Sequence, residues 1–223
     1  MPSVLTTKKL TKSQESLLFN ARIAWVNYSA IQIEFNKKIQ LPELIENAII
    51  TSKNAWLAVN ETTKIDNAFV VGSKTEQLLK EANIAIIEKA DNAKDLANRI
   101  IENHAENSFT FLCGNKRRDE LPELLQQNQI ELKEIEVYKT KLNPKKFDQE
   151  FDGILFFSPS AVQSFFQLNK SKNEIAFCIG NTTANEAKKY TSTIKIANQP
   201  TVENVIVQVV KELKTNRKDK TDL

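Results

Sequence analysis

The sequence predicts an α/β protein built from two similar parallel-sheet domains, and three observations support this class. Short β-branched or aromatic runs alternate with segments of helical period along the 223 residues of the chain. Three of its four glycines, Gly72, Gly114 and Gly180, each end one of these short runs. The layout of one strand–helix module also occurs twice. Alternation of this kind is typical of right-handed βαβ units with helices on both faces of a sheet.

The predicted strands are short runs rich in β-branched and aromatic residues, which favour an extended backbone. They cover residues 3–6, 21–27, 48–51, 68–71, 84–87, 109–113, 132–138, 153–157, 175–179 and 193–197. The predicted helices repeat apolar residues with the period of an α-helix. They cover residues 12–20, 54–60, 75–82, 92–103, 119–128, 161–168, 184–190 and 202–214. The last of these has the clearest apolar face, formed by Val202, Val205, Ile206, Val209, Val210 and Leu213.

The repeated module begins with an apolar strand and continues through a polar serine corner and an alanine into an apolar helix. It occupies residues 49–60 and again residues 155–166. Each copy is followed by a second unit, at residues 69–84 and 177–192, in which a strand, a glycine and a polar triplet containing Thr lead into a helix. Two copies of one βαβα module predict two similar domains.

Two stretches outside the modules, residues 28–36 and 131–142, alternate apolar and polar residues. This alternation is typical of strands with one buried face. Because the stretches lie between the modules, we expect the chain to leave its first domain, build the second and return. The two stretches are then antiparallel connectors that form a hinge.

Composition excludes several classes of protein. The formal net charge is +3 and no stripe of Lys and Arg interleaved with aromatic residues occurs, so no nucleic-acid partner is predicted. Cys113, Cys178 and His104 are too few for a zinc site of Cys/His type, so no metal is predicted, and both cysteines are expected to be buried and reduced. No apolar run approaches the ~20 residues that span a bilayer, and no signal core is present. We therefore predict a cytoplasmic location and no membrane partner.

Serine and glycine residues mark the carboxyl ends of the predicted strands, where open α/β sheets bind ligands. These residues are Ser52, Gly72, Gly114, Ser158 and Gly180. The helix N-termini that follow have unpaired N–H groups and a partial positive charge, which favour carboxylates and phosphates. Two facing domains would therefore line a cleft suited to a large polyanion.

Several neighbouring hydroxyl residues also have a purely structural interpretation. Ser73, Ser160 and Thr183 are each followed three residues later by Glu or Gln, which is the pattern of a capping box, so they can be plain N-caps. Capping does not account for Thr75 or Thr182, which lie beside these residues. For those two threonines a ligand contact and a structural role stay equally open.

Three further features each allow two interpretations. Gly72 and Gly180 either serve only a tight turn or also present their N–H groups to a ligand. The cations at 116–118 oppose the dipole of the helix that they precede, which indicates either a nearby anion or a solvated loop. Tyr138 is either a core or hinge residue or a phenol that faces the cleft as a proton donor.

No phosphate-binding glycine motif or nucleophile elbow is present, so the residues alone predict a cofactor-free, two-domain anion binder.

Seven segments follow one another over nearly the whole chain: TSKNA (51–55), VVGSKT (70–75), LCGNKRRDELPELL (112–125), EVYKT (136–140), FFSPSAV (156–162), IGNTTANEA (179–187) and QPTVENV (199–205). Their joint order and spacing resemble the uroporphyrinogen-III synthase family. The resemblance implies two α/β domains joined by a two-stranded antiparallel β ladder. The implied boundaries are residues 1–30 with 143–223 for one discontinuous domain, 35–135 for the other, and 31–34 with 136–142 for the ladder.

The resemblance implies a lyase, a cyclising hydro-lyase that uses no metal or cofactor. Its reaction closes the linear tetrapyrrole hydroxymethylbilane to uroporphyrinogen III, with ring D inverted and water lost. Tyr138 matches a family tyrosine and is the expected catalytic residue, a proton donor near the departing oxygen. The expected substrate contacts are Ser52, Gly72, Ser73, Thr75, Gly114, Ser158, Gly180, Thr182 and Thr183.

The implied partner is this small, carboxylate-rich substrate, in the haem and sirohaem branch of tetrapyrrole synthesis, and the protein is expected to be a monomer. A hypothesis from another class is a non-catalytic hinged binder or sensor of an anionic metabolite. No helix-turn-helix or membrane segment that would report binding is evident in the sequence, which favours the enzyme.

Overall fold

Strands and helices alternate throughout the computed structural model, which describes the backbone of residues 1–221 and the side chains of residues 1–214. The strands are β1 Ser3–Thr6, β2 Ala24–Asn27, β3 Ile31–Phe35, β4 Leu44–Ile50, β5 Lys64–Val71, β6 Ala85–Ala90, β7 Phe109–Gly114, β8 Leu132–Leu142, β9 Gly153–Phe156, β10 Ile175–Cys178 and β11 Ile194–Ile196. The helices are α1 Lys12–Asn20, α2 Lys53–Val59, α3 Ser73–Glu81, α4 Ala93–Asn103, α5 Glu120–Gln127, α6 Pro159–Phe166, α7 Asn181–Ala187 and α8 Val202–Thr221. The predicted α/β class with parallel sheets is confirmed.

Some element boundaries differ from the predicted ones. β4 and β5 begin earlier than predicted, and their first residues pair with each other, Leu44 with Lys64 and Ile45 with Ile65. Residues 44–47 (LIEN) and 64–67 (KIDN) mix polar with apolar side chains, so they do not form the apolar run that marks a buried strand. α8 continues beyond its predicted end, because each residue added to a formed helix gains a hydrogen bond without a new nucleation cost. None of the helices in residues 1–221 is both long and apolar enough to cross a membrane.

The chain divides into two compact units. The first unit contains Met1–Gln32 and Lys141–Leu223, and the second contains Ile33–Thr140. In the described residues of the first unit, five strands form a sheet with the order β11-β10-β9-β1-β2, in which all neighbours are parallel. The second unit is built on a sheet that has six strands within residues 1–221, in the order β3-β8-β7-β4-β5-β6. From β8 to β6 its neighbours are also parallel.

Both sheets are covered by helices on both faces, because successive residues of a strand point to opposite sides. In the first unit Leu5 packs in a cluster with α6 and α7, and Val4 packs in a cluster with α1 and α8. In the second unit Ile50 packs with α2 and α3, and Ile49 packs with α4 and α5. Ligands therefore have access to each sheet at the ends of its strands.

Candidate active site

A cavity of about 380 Å³ opens at the carboxyl edge of the sheet in the second unit. Three predicted site residues line it, namely Ser52 after β4, Gly114 at the end of β7 and Tyr138 on β8. Cys113 and Lys116 line it as well. The fold therefore brings together residues that are far apart in sequence, at the edge where parallel sheets bind ligands.

Tyr138 packs against the core through its ring and also lines the cavity. Its half-buried ring packs against the hydrophobic cluster that α2 and α3 form with the sheet. Its hydroxyl group makes no hydrogen bond to any described residue. Since a phenol can both donate and accept, this group is available to a ligand in the cavity.

Of the three cations in the loop after β7, Arg117 and Arg118 interact within the protein, whereas Lys116 is available. Arg117 is ion-paired with Asp119 and Glu134. Burial lowers the pKa of this guanidinium, but the hydrogen bond to Asp119 and the charge of Glu134 outweigh that effect and raise the pKa overall. Lys116 has no ion-pair partner among the described residues and lines the cavity. The cations at 116–118 were expected either near an anion or in a solvated loop, and Lys116 was not among the expected substrate contacts.

The cysteines are not suited to nucleophilic chemistry. Burial, together with the charge of Glu134, raises the pKa of the Cys113 thiol to about 11, and burial raises that of Cys178 to about 12. Both are therefore neutral thiols at neutral pH. The prediction that both cysteines are buried is confirmed. Within the described residues, no three His, Cys, Asp or Glu side chains are grouped so that they could hold a metal ion.

The corner between β5 and α3 differs from its predicted form. Gly72, and not Ser73, is the N-cap of α3, with no side-chain capping bond, so the predicted capping box is wrong here. Gly72 has a φ of +81°, a left-handed conformation that favours glycine. Its N–H group donates to the carbonyl oxygen of Ala90 at 2.9 Å, so the sheet already uses this donor. Ser73 shares a surface depression with Gln77 and Glu81 and does not line the cavity.

Ser52 and Ser158 occupy equivalent positions in the two copies of the module. The Oγ atom of Ser52 accepts the N–H of Asn54 at 3.2 Å as the N-cap of α2. The Oγ atom of Ser158 accepts the N–H of Ala161 at 3.2 Å as the N-cap of α6. The predicted N-cap Ser160 is therefore wrong, because Ser158 already caps this helix. In the part of the chain that the structure describes, neither capping hydroxyl donates a hydrogen bond, so each can donate one to a ligand.

Thr75 and Thr183 also match between the units, since each lies three residues after the glycine that caps its helix. The predicted N-cap Thr183 is wrong, because Gly180 is the N-cap of α7. The two threonines are 5% and 3% exposed, and neither hydroxyl has a partner among the described residues. Among the described residues, the only side-chain oxygen or nitrogen that is both fully buried and without a hydrogen-bond partner belongs to the Glu174 carboxylate. Since the two threonine hydroxyls also lack a partner, they are not fully buried and keep contact with solvent. Thr182 lies in the same turn and already interacts within the protein.

The comparisons with known proteins agree on one family. A family model described as uroporphyrinogen-III synthase HemD matches residues 23–206. The chain is 29% identical over 171 residues to the porphyrin biosynthesis protein HemD of Ruminiclostridium josui, a match that covers 70% of this chain and 33% of that protein. It is 28% identical over 184 residues to an uncharacterized protein of Rickettsia prowazekii, with 79% of this chain and 65% of that protein covered. The chain thus spans a third and just under two thirds of the lengths of these two relatives.

Solved structures show the same fold at low sequence identity. Uroporphyrinogen-III synthetase from Helicobacter pylori superposes with a TM-score of 0.73 and 17% identity, over 95% of this chain and 99% of that chain. A mutant uroporphyrinogen III synthase from Thermus thermophilus superposes with a TM-score of 0.65 and 12% identity, over 96% of this chain and 100% of that chain. At these identities the likeness is one of fold.

Proposed function

Because the chain belongs to the uroporphyrinogen-III synthase family, we propose that it cyclises hydroxymethylbilane to uroporphyrinogen III, with inversion of ring D and loss of water. The family acts in porphyrin biosynthesis, and its enzymes are lyases. One observation carries the proposal most directly. The phenol of Tyr138 lines a cavity at the ligand-binding edge of the sheet and has no hydrogen-bond partner among the described residues.

Tyr138 acts in this proposal as the general acid. The phenol protonates the hydroxymethyl oxygen, which leaves as water and generates an electrophilic azafulvenium cation. Ring D then attacks through its substituted carbon and forms a spiro intermediate, which fragments and recloses with the ring inverted. The proton that ring D loses at closure balances the proton that Tyr138 gives, so one water is formed for each ring closed.

The carboxylates of the substrate bind to Lys116 and to the hydroxyls of Thr75 and Thr183. Charge-assisted hydrogen bonds of this kind are stronger than those between neutral groups. Thr75 lies in the second unit and Thr183 in the first. Free hydroxymethylbilane cyclises without inversion, so the main contribution of the protein is to hold the conformer that takes the spiro route.

We propose further that the two compact units are the two domains of the family and that the strands joining them form an antiparallel hinge. The N–H of Asn143 donates to the carbonyl of Ala30 at 2.9 Å, and the N–H of Asn36 donates to the carbonyl of Val137 at 2.9 Å. From the first bond to the second, the residue numbers rise from 30 to 36 on one strand and fall from 143 to 137 on the other, which supports antiparallel pairing.

The isomer composition of the product tests the proposal. After incubation with freshly made hydroxymethylbilane and oxidation, we expect uroporphyrin III, whereas spontaneous closure gives isomer I. A non-catalytic binder of anionic metabolites would bind the substrate and leave only isomer I. Membership of a synthase family does not favour that alternative.

A further inference from the structure

A bulge in β8 lies at the position of Tyr138. Along most of their length β7 and β8 pair residue by residue, as far as Cys113 opposite Glu136. The next pair is Gly114 opposite Tyr138, so β8 contributes one additional residue, Val137, at this point. Bulges bend a strand and change the direction of the side chains that follow, and they are frequent beside active sites.

The bulge changes the face on which Tyr138 lies. In a regular strand, successive side chains point to opposite faces of the sheet. Here the fully buried Val137 and its neighbour Tyr138 both pack against the same hydrophobic cluster. The phenol therefore owes its place in the cavity to the bulge, and the bulge must be held in place for the ring to stay there.

Asn115 holds the bulged strand at Tyr138 and two residues beyond it. Its backbone N–H donates to the carbonyl oxygen of Tyr138 at 3.3 Å. Its side-chain Oδ1 accepts the N–H of Thr140 at 2.8 Å. One residue thus bonds to the tyrosine itself and to the strand two residues beyond it.

The opposite edge of β8 is fixed at the same point. The backbone N–H of Asn36, just after β3, donates to the carbonyl of Val137 at 2.9 Å. The Nδ2 of Asn36 donates to the carbonyl of Glu136 at 3.4 Å. With β8 anchored on this side, the bond between Asn115 and Thr140 decides how the segment that carries the phenol is oriented on the other side.

We propose that Asn115 is a positioning residue for the reaction, which acts through Tyr138 by fixing the bulge with its Oδ1 atom. The inference rests on the proposed function, because it takes Tyr138 as the proton donor. A displacement of about 1 Å at a reacting group costs up to about 10²-fold in rate, so one lost hydrogen bond in this strand is enough to affect turnover.

The test compares three variants with the wild-type protein. Asn115→Ala removes the Oδ1 acceptor and is expected to lower kcat by about 10-fold, with KM changed by less than about threefold. Asn115→Asp keeps an acceptor oxygen at the same reach and is expected to restore at least half of the lost kcat. Asn128→Ala is the matched control, since it removes a 2.8 Å bond from an Asn side chain to the Leu124 carbonyl elsewhere in the same unit, and its kcat should equal that of wild type.

A double-mutant cycle separates positioning from a general structural effect. In a Tyr138→Phe background, Asn115→Ala should lower kcat by less than about twofold, because the group it positions is already gone. Equal losses in both backgrounds would show that Asn115 does not act through Tyr138 and would overturn the inference. If Asn115→Ala does not fold, the pair Asn115→Asp and Asn115→Gln makes the same test, because Gln moves the acceptor by one methylene.

The outcomes keep this inference separate from the proposed function. If the wild-type protein yields only isomer I, the proposed function is wrong, whatever Asn115 does. If the wild-type protein forms isomer III and Asn115→Ala forms it at the wild-type rate, the positioning role alone is wrong.

Discussion

The ring of Tyr138 lies against the backbone of Gly114, its partner across β7 and β8. A Cβ atom built at Gly114 would be 2.6 Å from Cε2 of that ring. This is shorter than a normal non-bonded contact, so the ring or the backbone would have to move. A glycine at the end of β7 thus gives the ring the space to cover the strand end and reach the cavity.

Gly114→Ala should therefore disturb both stability and activity. Forcing a methyl group against the ring is expected to lower the free energy of unfolding by about 1–3 kcal/mol, measured by chemical denaturation. Turnover should fall as well, because the phenol is displaced. Gly180→Ala is the control for stability, since no atom lies within 4 Å of its added Cβ and its backbone is extended. Equal losses of stability in the two variants would contradict the packing described for Tyr138.

Tyr138→Phe should lower turnover while leaving the fold intact. We expect the rate of isomer III formation to fall by up to about 10²-fold, within the usual contribution of general acid catalysis. The melting temperature should not change, because the hydroxyl has no partner among the described residues. Wild-type turnover in this variant would remove Tyr138 from the site without affecting the assignment of the family.

The sequence predicted the order and type of the elements, because apolar period and strand-end glycines are local signals. It did not predict the first residues of β4 and β5, since Leu44 and Lys64 are extended by pairing with each other. It placed the N-caps at Ser73, Ser160 and Thr183, where the local pattern fits. In the structure the N-caps are Gly72, Ser158 and Gly180, which lie one, two and three residues earlier, close to where the preceding strands end.

Thr75→Val and Thr183→Val should each weaken substrate binding without a loss of stability. Removing one hydroxyl contact is expected to raise KM by about 3–10-fold, the equivalent of one hydrogen bond. Thr7→Val is the matched control, because its buried hydroxyl donates to the Leu155 carbonyl at 2.7 Å. That variant should lose about 1 kcal/mol of stability and keep its KM. An unchanged KM in either variant would contradict the substrate contact proposed for that hydroxyl.

The positions of Ser52 and Ser158 were predictable, because one strand end defines each of them. A site residue was not predictable where its position depends on two strands together. The bulge beside Tyr138 arises from the pairing of β7 with β8, and no residue of EVYKT marks it. The role of Asn115 depends on that same pairing, so an asparagine in a loop gives no signal by itself.

The thiols should make the folded protein less stable at alkaline pH. The ordinary value for each thiol is 9.0, and burial raises the folded-state pKa to about 11 for Cys113 and about 12 for Cys178. The unfolded chain therefore loses these protons first, and the free energy of unfolding falls as pH rises above 9.0 towards these folded-state values. Urea denaturation across this range, with Cys178→Ala as a comparison, measures the effect. A stability that stays constant to pH 11 would contradict the burial of both thiols.

The most direct test of the account is the isomer ratio produced from fresh hydroxymethylbilane by the purified protein, against heat-inactivated protein in parallel. After oxidation and separation, we predict that the active sample contains mainly uroporphyrin III and the inactivated sample mainly uroporphyrin I. Isomer I alone in both samples would contradict the proposed reaction.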